Sequence, residues 1–164
     1  MKYRILSKTE QDLYDADVMA VVDYNDVAAL GANTTANLSV VPMTTNGVTP
    51  PAGGGSGTDT IPANFAIKFK YLVVDTAFVS GSAAGLAITV GDSGSATRLL
   101  ASTQIQSGQT PVSGAVGITN EFYIATAQTM NIYFTSTTAN LSTFTAGQMR
   151  LFFSLRDLGQ LPAA

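Results

Sequence analysis

The chain has 164 residues, a net charge of −3 and 12% charged residues, about half the share that is usual in globular proteins. It contains no His, Cys or Trp, which excludes histidine acid–base catalysis, cysteine nucleophiles, disulfides, and zinc or iron–sulfur sites. Its acidic balance argues against a nucleic-acid surface, and no run approaches the ~20 apolar residues of a membrane span.

Hydroxyl-bearing and small residues supply the polar surface instead, with 21 Thr, 13 Ser and 15 Gly. This composition differs from that of disordered chains, which are rich in charge and poor in aromatic residues. A chain of this length forms one domain, which we assign to residues 1–164. So little charge on the surface indicates a β protein that partners cover in part.

Alternation of apolar and polar residues with a period of two predicts eight strands. The strongest signal runs from Phe65 to Val73, where Lys68 and Lys70 face one side and the aromatic residues face the other. Turns rich in Gly and Asn separate the strands, because these residues supply the positive φ that hairpins need. In chain order the predicted strands cover residues 3–6, 18–22, 36–40, 65–73, 86–90, 122–124, 130–134 and 149–156.

Two segments stand apart from this pattern. Residues 12–30 are the only helix-like stretch, but their apolar residues do not form one stripe of period 3.6, so we expect helix in less than about a tenth of the chain. Residues 42–62 contain Pro50-Pro51 and the run Gly53-Gly54-Gly55-Ser56-Gly57, which predict a long loop. This loop is either a flexible surface excursion or a segment ordered only against a neighbouring subunit.

The number and spacing of the strands predict an all-β fold of two packed sheets. The jelly roll is the expected form of this sandwich, with the long Pro/Gly-rich loop as an excursion from it. An immunoglobulin-like sandwich is the alternative, although the chain lacks the Cys…Trp…Cys signature of that fold.

The acidic residues are unevenly distributed, and six of the 11 lie between Glu10 and Asp26. The runs Asp15-Ala16-Asp17 and Asp23-Tyr24-Asn25-Asp26 in this segment offer oxygen ligands of the kind that calcium prefers, but neither fits the spacing of an EF-hand loop. We interpret the segment as a solvated polar one, with a weak cation site or a basic partner as the alternatives.

No residue set predicts catalysis. The run from Gly91 to Ser95 lacks the Lys of a phosphate-binding loop and indicates a hairpin turn. Glycosidase chemistry needs two facing carboxylates, and the alternation does not pair any two of the candidates, which are Asp75, Asp92, Glu121 and Asp157. We therefore expect no enzyme activity, and we assign no catalytic, cofactor-binding or metal-binding residue.

Two aromatic residues lie opposite the apolar side of their predicted strands, namely Tyr133 and Phe152. Exposed aromatic rings in β-sandwiches can stack on sugars. Coverage by the second sheet or by a neighbouring subunit is the more common situation for such rings.

Several runs resemble the patterning of tailed-bacteriophage capsid decoration proteins, also called cement proteins. They combine β-strand alternation with polar turns and cover about half of the chain, whereas residues 8–64 lie largely outside the resemblance. The runs are KYRILS at 2–7, LAITVGDSGSATRLLAST at 86–103, FYIA at 122–125, NIYFTS at 131–136, TAGQMRLFF at 145–153 and LRDL at 155–158.

The resemblance implies a structural virion protein. Proteins of this kind bind the outer surface of an icosahedral shell, often as trimers, and clamp adjacent major capsid subunits against internal DNA pressure without catalysis or cofactor. We therefore expect a homotrimer that is made in the host cytoplasm, binds the major capsid protein and lies on the outer capsid surface of the virion. A binding module, such as a phage head-fibre or tail-fibre tip or a carbohydrate-binding β-sandwich, is the second hypothesis, and an enzyme is the third.

The N-terminal arm, residues 1–8, provides the predicted capsid contacts. It is short, basic and alternately apolar, so it cannot fold alone and must add to a sheet edge. That edge belongs either to its own sheet or to a neighbouring subunit or the capsid. The predicted contact residues are Lys2, Tyr3, Arg4, Ile5 and Leu6.

Contacts between the subunits of the trimer are predicted at apolar residues that a monomer is not expected to bury. The candidates are Leu99, Leu100 and Phe152.

Overall fold

The computed structural model describes residues 2–40, 61, 63–106 and 121–160. Strands hold 62% of these residues and helices 14%, so the predicted predominance of strands is confirmed, whereas the helical share exceeds the expected tenth. The strands are β1 (Lys2–Ile5), β2 (Val18–Asp23), β3 (Thr35–Val40), β4 (Phe65–Ser80), β5 (Gly85–Asp92), β6 (Ser95–Gln104), β7 (Phe122–Ile124), β8 (Met130–Thr137) and β9 (Phe144–Asp157). The helices are α1 (Lys8–Tyr14) and α2 (Tyr24–Ala28), with short 3₁₀ turns at Leu141–Thr143 and Leu158–Gln160.

The strands form two antiparallel sheets that pack face to face. One sheet has five strands in the order β1-β2-β9-β4-β7, and the other has four in the order β3-β8-β5-β6. The pairs are nested: β5 pairs with β6, β4 with β7, β3 with β8 and β2 with β9, as in a long hairpin folded over on itself. This is the strand order of a jelly roll, with β1 added at the edge beside β2. The predicted sandwich is confirmed, and the immunoglobulin-like alternative does not fit this order.

The main core lies between the two sheets. Successive side chains point to opposite faces of a strand, so every second residue of the central strands turns toward the other sheet. Phe69 and Phe153 illustrate this arrangement, since both are buried and their rings meet edge to face with centroids 5.4 Å apart. Further buried members of this core are Ile67, Leu72, Phe78, Leu86, Ile88, Val90, Ile132, Phe134, Met149 and Leu151.

The strand that the alternation did not predict is β6. Leu99 and Leu100 are neighbours in it, yet only 3% and 1% of their surfaces are exposed. The register with β5 shifts between the pairs Val90–Leu100 and Asp92–Ser95, so β6 has extra residues in the stretch that contains Leu99. Such a bulge lets two consecutive side chains reach the core, which a strict period of two does not allow.

Two short helices flank β2 where the sequence showed no apolar stripe. Each begins with a capping box, in which Ser7 pairs with Glu10 and Asp23 pairs with Asp26. Reciprocal bonds of this kind satisfy backbone N–H groups that the first turn leaves free. Because α1 has seven residues and α2 has five, neither is long enough to repeat a stripe of period 3.6.

Most of the predicted loop, residues 42–60 and 62, lies outside the described residues. Within it Ile61 is 1% exposed and forms an isolated antiparallel bridge with Gln128. The chain is therefore held against the sandwich immediately before β4 begins.

Candidate functional site

The first candidate surface is an aromatic cluster on the side of the five-stranded sheet that faces away from the main core. Phe152 lies on this side because its neighbours in β9, Leu151 and Phe153, point into the core. Tyr71 of β4 stacks on Phe152 with ring centroids 4.4 Å apart, and Tyr14 at the end of α1 lies 5.1 Å from the same ring. We call this surface the outer aromatic face.

Helix α1 covers one end of the outer aromatic face. The Tyr71 hydroxyl donates a hydrogen bond of 3.0 Å to the backbone oxygen of Tyr14, which fixes the helix end to β4. Lys70 adds an ion pair of 2.7 Å to Asp15, the residue that ends α1 in a left-handed conformation. Burial of the ring raises the pKa of Tyr71 above 10.0, so its hydroxyl keeps its proton as a donor at neutral pH.

Arg150 supplies the charged part of the outer aromatic face. Its guanidinium lies 5.8 Å from the Phe152 ring and binds Asp75 through two parallel contacts, Nε to Oδ2 at 2.9 Å and Nη2 to Oδ1 at 2.6 Å. The hydrogen bonds to Asp75 raise the pKa of Arg150 further above its ordinary value. This two-point pairing fixes the position of the guanidinium, which remains partly exposed.

The exposed border of this face is apolar. Val21 and Val73 pack against the cluster but are only half-buried. Leu13 on α1, the helix that covers one end of this face, is 72% exposed. The face therefore combines tyrosine, arginine and aliphatic side chains, which are the types that protein contacts use most.

The N-terminal arm pairs with its own domain. Residues 2–5 form β1 and run antiparallel to β2, from the pair Lys2–Val21 to the pair Ile5–Val18. Leu6 is 2% exposed in the cluster beneath α1, so this predicted contact residue is unavailable to a capsid and its assignment is corrected. Lys2, Tyr3, Arg4 and Ile5 lie in the terminal strand of the sheet, at an edge with no further strand in the described part of the chain.

The three residues predicted between subunits are buried inside the chain itself. Leu99 and Leu100 enter the core through the bulge of β6, and Phe152 is fully buried under Tyr14 and Tyr71. The prediction that a monomer leaves these residues uncovered is wrong. The alternation could not reveal that a helix distant in sequence covers the outer side of β9.

The acidic segment is engaged in local structure. Glu10, Asp23 and Asp26 act in the capping boxes, and Asp17 accepts from the Ser154 hydroxyl and the Leu155 backbone N–H at 2.9 and 2.8 Å. Among the residues that the structure describes, no three acidic side chains are grouped so that they could hold a metal ion.

Three of the four carboxylates weighed for glycosidase chemistry lie beside arginines, and the fourth, Asp157, accepts from the Gly159 backbone N–H at 2.9 Å. Asp75 pairs with Arg150, Asp92 with Arg98, and Glu121 lies 3.9 Å from Arg156. Asp92 is 3% exposed and also accepts from the backbone N–H groups of the turn that joins β5 to β6. These pairs hold the strands and turns together.

The second candidate surface is a recess on the outer side of the four-stranded sheet. Tyr133 of β8 lies between Asn37 of β3 and Thr89 of β5, and in the adjacent row Thr135 lies beside Thr35. With Ala96 of β6 these side chains line a depression of about 400 Å³. Tyr133 is half-buried, in line with its predicted position opposite the apolar side of β8. We call this depression the neutral recess.

No family model, no curated protein and no solved structure matches this chain. Among the residues described, no helix has the length and apolar character that crossing a membrane requires.

Proposed function

We propose that this protein is a structural virion protein that binds the outer surface of a phage capsid and stabilises the shell by bridging adjacent major capsid subunits. The observation that carries the proposal is the outer aromatic face, where Tyr71 and Arg150 are held rigidly beside half-buried Val21 and Val73. Rigid tyrosine and arginine side chains with an aliphatic border form strong protein contacts, because little conformational entropy is lost on binding.

Bridging needs two contacts on one molecule. The edge of β1 provides the second, since an edge strand offers unpaired backbone groups to an added strand. The edge and the outer aromatic face belong to the same sheet, so one domain can engage two neighbouring capsid subunits. The basic residues Lys2 and Arg4 of β1 suit an acidic patch on the shell.

The proposed oligomer is a homotrimer. The contacts between its subunits must use exposed residues, because the candidates Leu99, Leu100 and Phe152 are buried within one chain. Light scattering on the free protein is expected to give three times the chain mass of 17.0 kDa. A stable monomer that also binds capsids as a monomer would remove the trimer from the proposal.

The capsid contact is tested with shells prepared without this protein. We expect the added protein to co-sediment with them, to saturate near one copy per major capsid subunit and to raise the temperature at which the shells release DNA. Val73→Lys, within the outer aromatic face, is expected to weaken capsid binding at least tenfold.

Val79→Lys is the matched control. It places the same side chain on the same strand at a site that is 39% exposed and outside the aromatic cluster. Unchanged capsid binding by this variant, with weak binding by Val73→Lys, supports the proposal. Equal binding by wild type and Val73→Lys, or the absence of any binding to shells, contradicts it.

A further inference from the structure

The neutral recess differs from the outer aromatic face in its lack of charge. Its lining consists of Thr35, Asn37, Thr89, Tyr133 and Thr135, with Ala36, Ala96 and Phe134 between them. None of these side chains is ionisable at neutral pH. An occupant that carries a net charge would find no counter-charge among them, so the chemistry of the recess favours a neutral, polar ligand.

The hydrogen-bonding groups of the neutral recess are available. Within the described part of the chain the side chains of Thr35, Asn37, Thr89 and Thr135 make no hydrogen bond to another protein atom. Other threonines are engaged by the backbone, as Thr143 is through its hydroxyl bond of 2.7 Å to Asn140. The recess thus gathers three free hydroxyls and one free amide on adjoining strands.

The aromatic ring of the recess is fixed before any ligand arrives. The Tyr133 hydroxyl donates a 3.0 Å hydrogen bond to the backbone oxygen of Asp92 and accepts one of 3.4 Å from the Asn131 amide. These bonds hold the ring between Asn37 and Thr89. A ligand that packs against it therefore does not have to immobilise it, which lowers the cost of binding.

We propose that the neutral recess binds a neutral pyranose. A pyranose has an apolar C–H face that can pack on the Tyr133 ring and a rim of hydroxyls that both donate and accept hydrogen bonds, as threonine and asparagine require. The volume of about 400 Å³ lies within the range of small-molecule sites. The strand spacing places the free groups on a grid of about 10 by 7 Å, so one sugar ring reaches several of them at once.

The test uses the free protein, so its result does not depend on capsid binding. The probes are the α and β methyl pyranosides of glucose, galactose, mannose and N-acetylglucosamine, added singly to ¹⁵N-labelled protein. At least one sugar is expected to shift the amide signals of residues 35, 37, 89, 133 and 135 with a Kd on the order of 1 mM. No shift with any of the eight sugars, or shifts confined to other residues, would overturn the proposal.

Variants separate a site from a surface effect. Thr89→Val and Thr135→Val keep the shape and β-branching of the side chain but remove its hydroxyl, and each is expected to weaken the sugar about fivefold. Thr137→Val is the control, since it lies on β8 beyond the residues that line the recess. Equal affinity of wild type and Thr135→Val contradicts the proposal. So do amide shifts at the recess that appear on raising the protein concentration without sugar, because they would identify a second copy as the occupant.

Discussion

Tyr71 stacks on Phe152 with ring centroids 4.4 Å apart on the outer side of the five-stranded sheet, where a solvated surface would be expected. The pair turns one side of the sheet into a second, smaller core that Leu6, Ala16 and Met19 complete. The sandwich therefore has apolar packing on both faces of β9. The chain's own N-terminal segment therefore covers part of the outer face of this sheet, which is consistent with the low share of charged residues.

Replacement of Phe152 by alanine is expected to lower the free energy of unfolding by about 3–4 kcal/mol, because it empties a fully buried site and removes both ring contacts. Urea unfolding followed by circular dichroism measures the effect. Phe152→Leu retains most of the apolar volume and is expected to cost about 1.5 kcal/mol or less. A loss below 1 kcal/mol in the alanine variant would show that Phe152 is not enclosed under α1.

Gly147 is expected to tolerate substitution poorly. Its φ of +139° is one that L side chains rarely adopt, and an added Cβ would collide with the ring and backbone of Phe78. Gly147→Ala should cost about 3 kcal/mol or more, from backbone strain and overpacking together.

Gly31→Ala is the control for that experiment. Gly31 also has a positive φ, +87°, but an added Cβ would meet no atom within 4 Å. Only the backbone strain remains, so we expect a loss of about 1 kcal/mol in the same urea titration. Equal losses in Gly31→Ala and Gly147→Ala would mean that Phe78 moves aside freely.

Asp92 is expected to make folding stability depend on pH. Burial alone would raise its pKa, but hydrogen bonds from Arg98 and from the N–H groups of Ser95 and Gly94 outweigh burial and hold the pKa below 3.8. A carboxyl whose pKa is lowered by folding stabilises the native state above its unfolded pKa, and this contribution is lost as the pH falls through the folded pKa.

Asp92→Asn should therefore be less stable than wild type by about 2 kcal/mol at pH 7, with the difference shrinking below pH 4. Urea titrations of both proteins at pH 7, 5 and 3 measure this difference. A gap that stays constant across this range would show that the charge of Asp92 contributes nothing to folding.

Much of the fold could be predicted from period-two alternation, because the buried residues of a half-buried strand are apolar and the residues between them are polar. Residues 149–156 illustrate this, since the predicted strand lies within β9. Residues 65–73 lie within β4 as predicted, but a register shift between Phe69 and Tyr71 places Tyr71 on the outer face instead of beside Phe69. The alternation did not predict β6, because a bulge in this strand lets the neighbouring residues Leu99 and Leu100 both be buried. A local pattern cannot show a bulge whose position depends on the partner strand.

The candidate surfaces were less accessible to sequence reasoning. Tyr133 drew attention through its place in the alternation, but the neutral recess also needs Asn37 and Thr89, which are separated by 52 positions and brought together by β8. The burial of Phe152 likewise depends on Tyr14, which lies far from it in the chain. Contacts of this kind depend on how the strands are nested, so neither segment's sequence alone predicts them.

Two adjacent residues of the N-terminal arm, Ile5 and Leu6, are expected to respond differently to mutation. Leu6 is 2% exposed and its backbone N–H donates to Asp17 at 2.9 Å, so Leu6→Ala should lower the free energy of unfolding by about 2–3 kcal/mol. Ile5 is 37% exposed in the terminal strand, so Ile5→Lys should change stability by less than about 1 kcal/mol.

If the β1 edge contacts the capsid, Ile5→Lys should still weaken binding to shells at least tenfold, because a charge then replaces an apolar contact at the edge. Urea titration and co-sedimentation on the same preparations separate the two effects. Normal capsid binding by Ile5→Lys would limit β1 to its place in the sheet and leave the outer aromatic face as the contact.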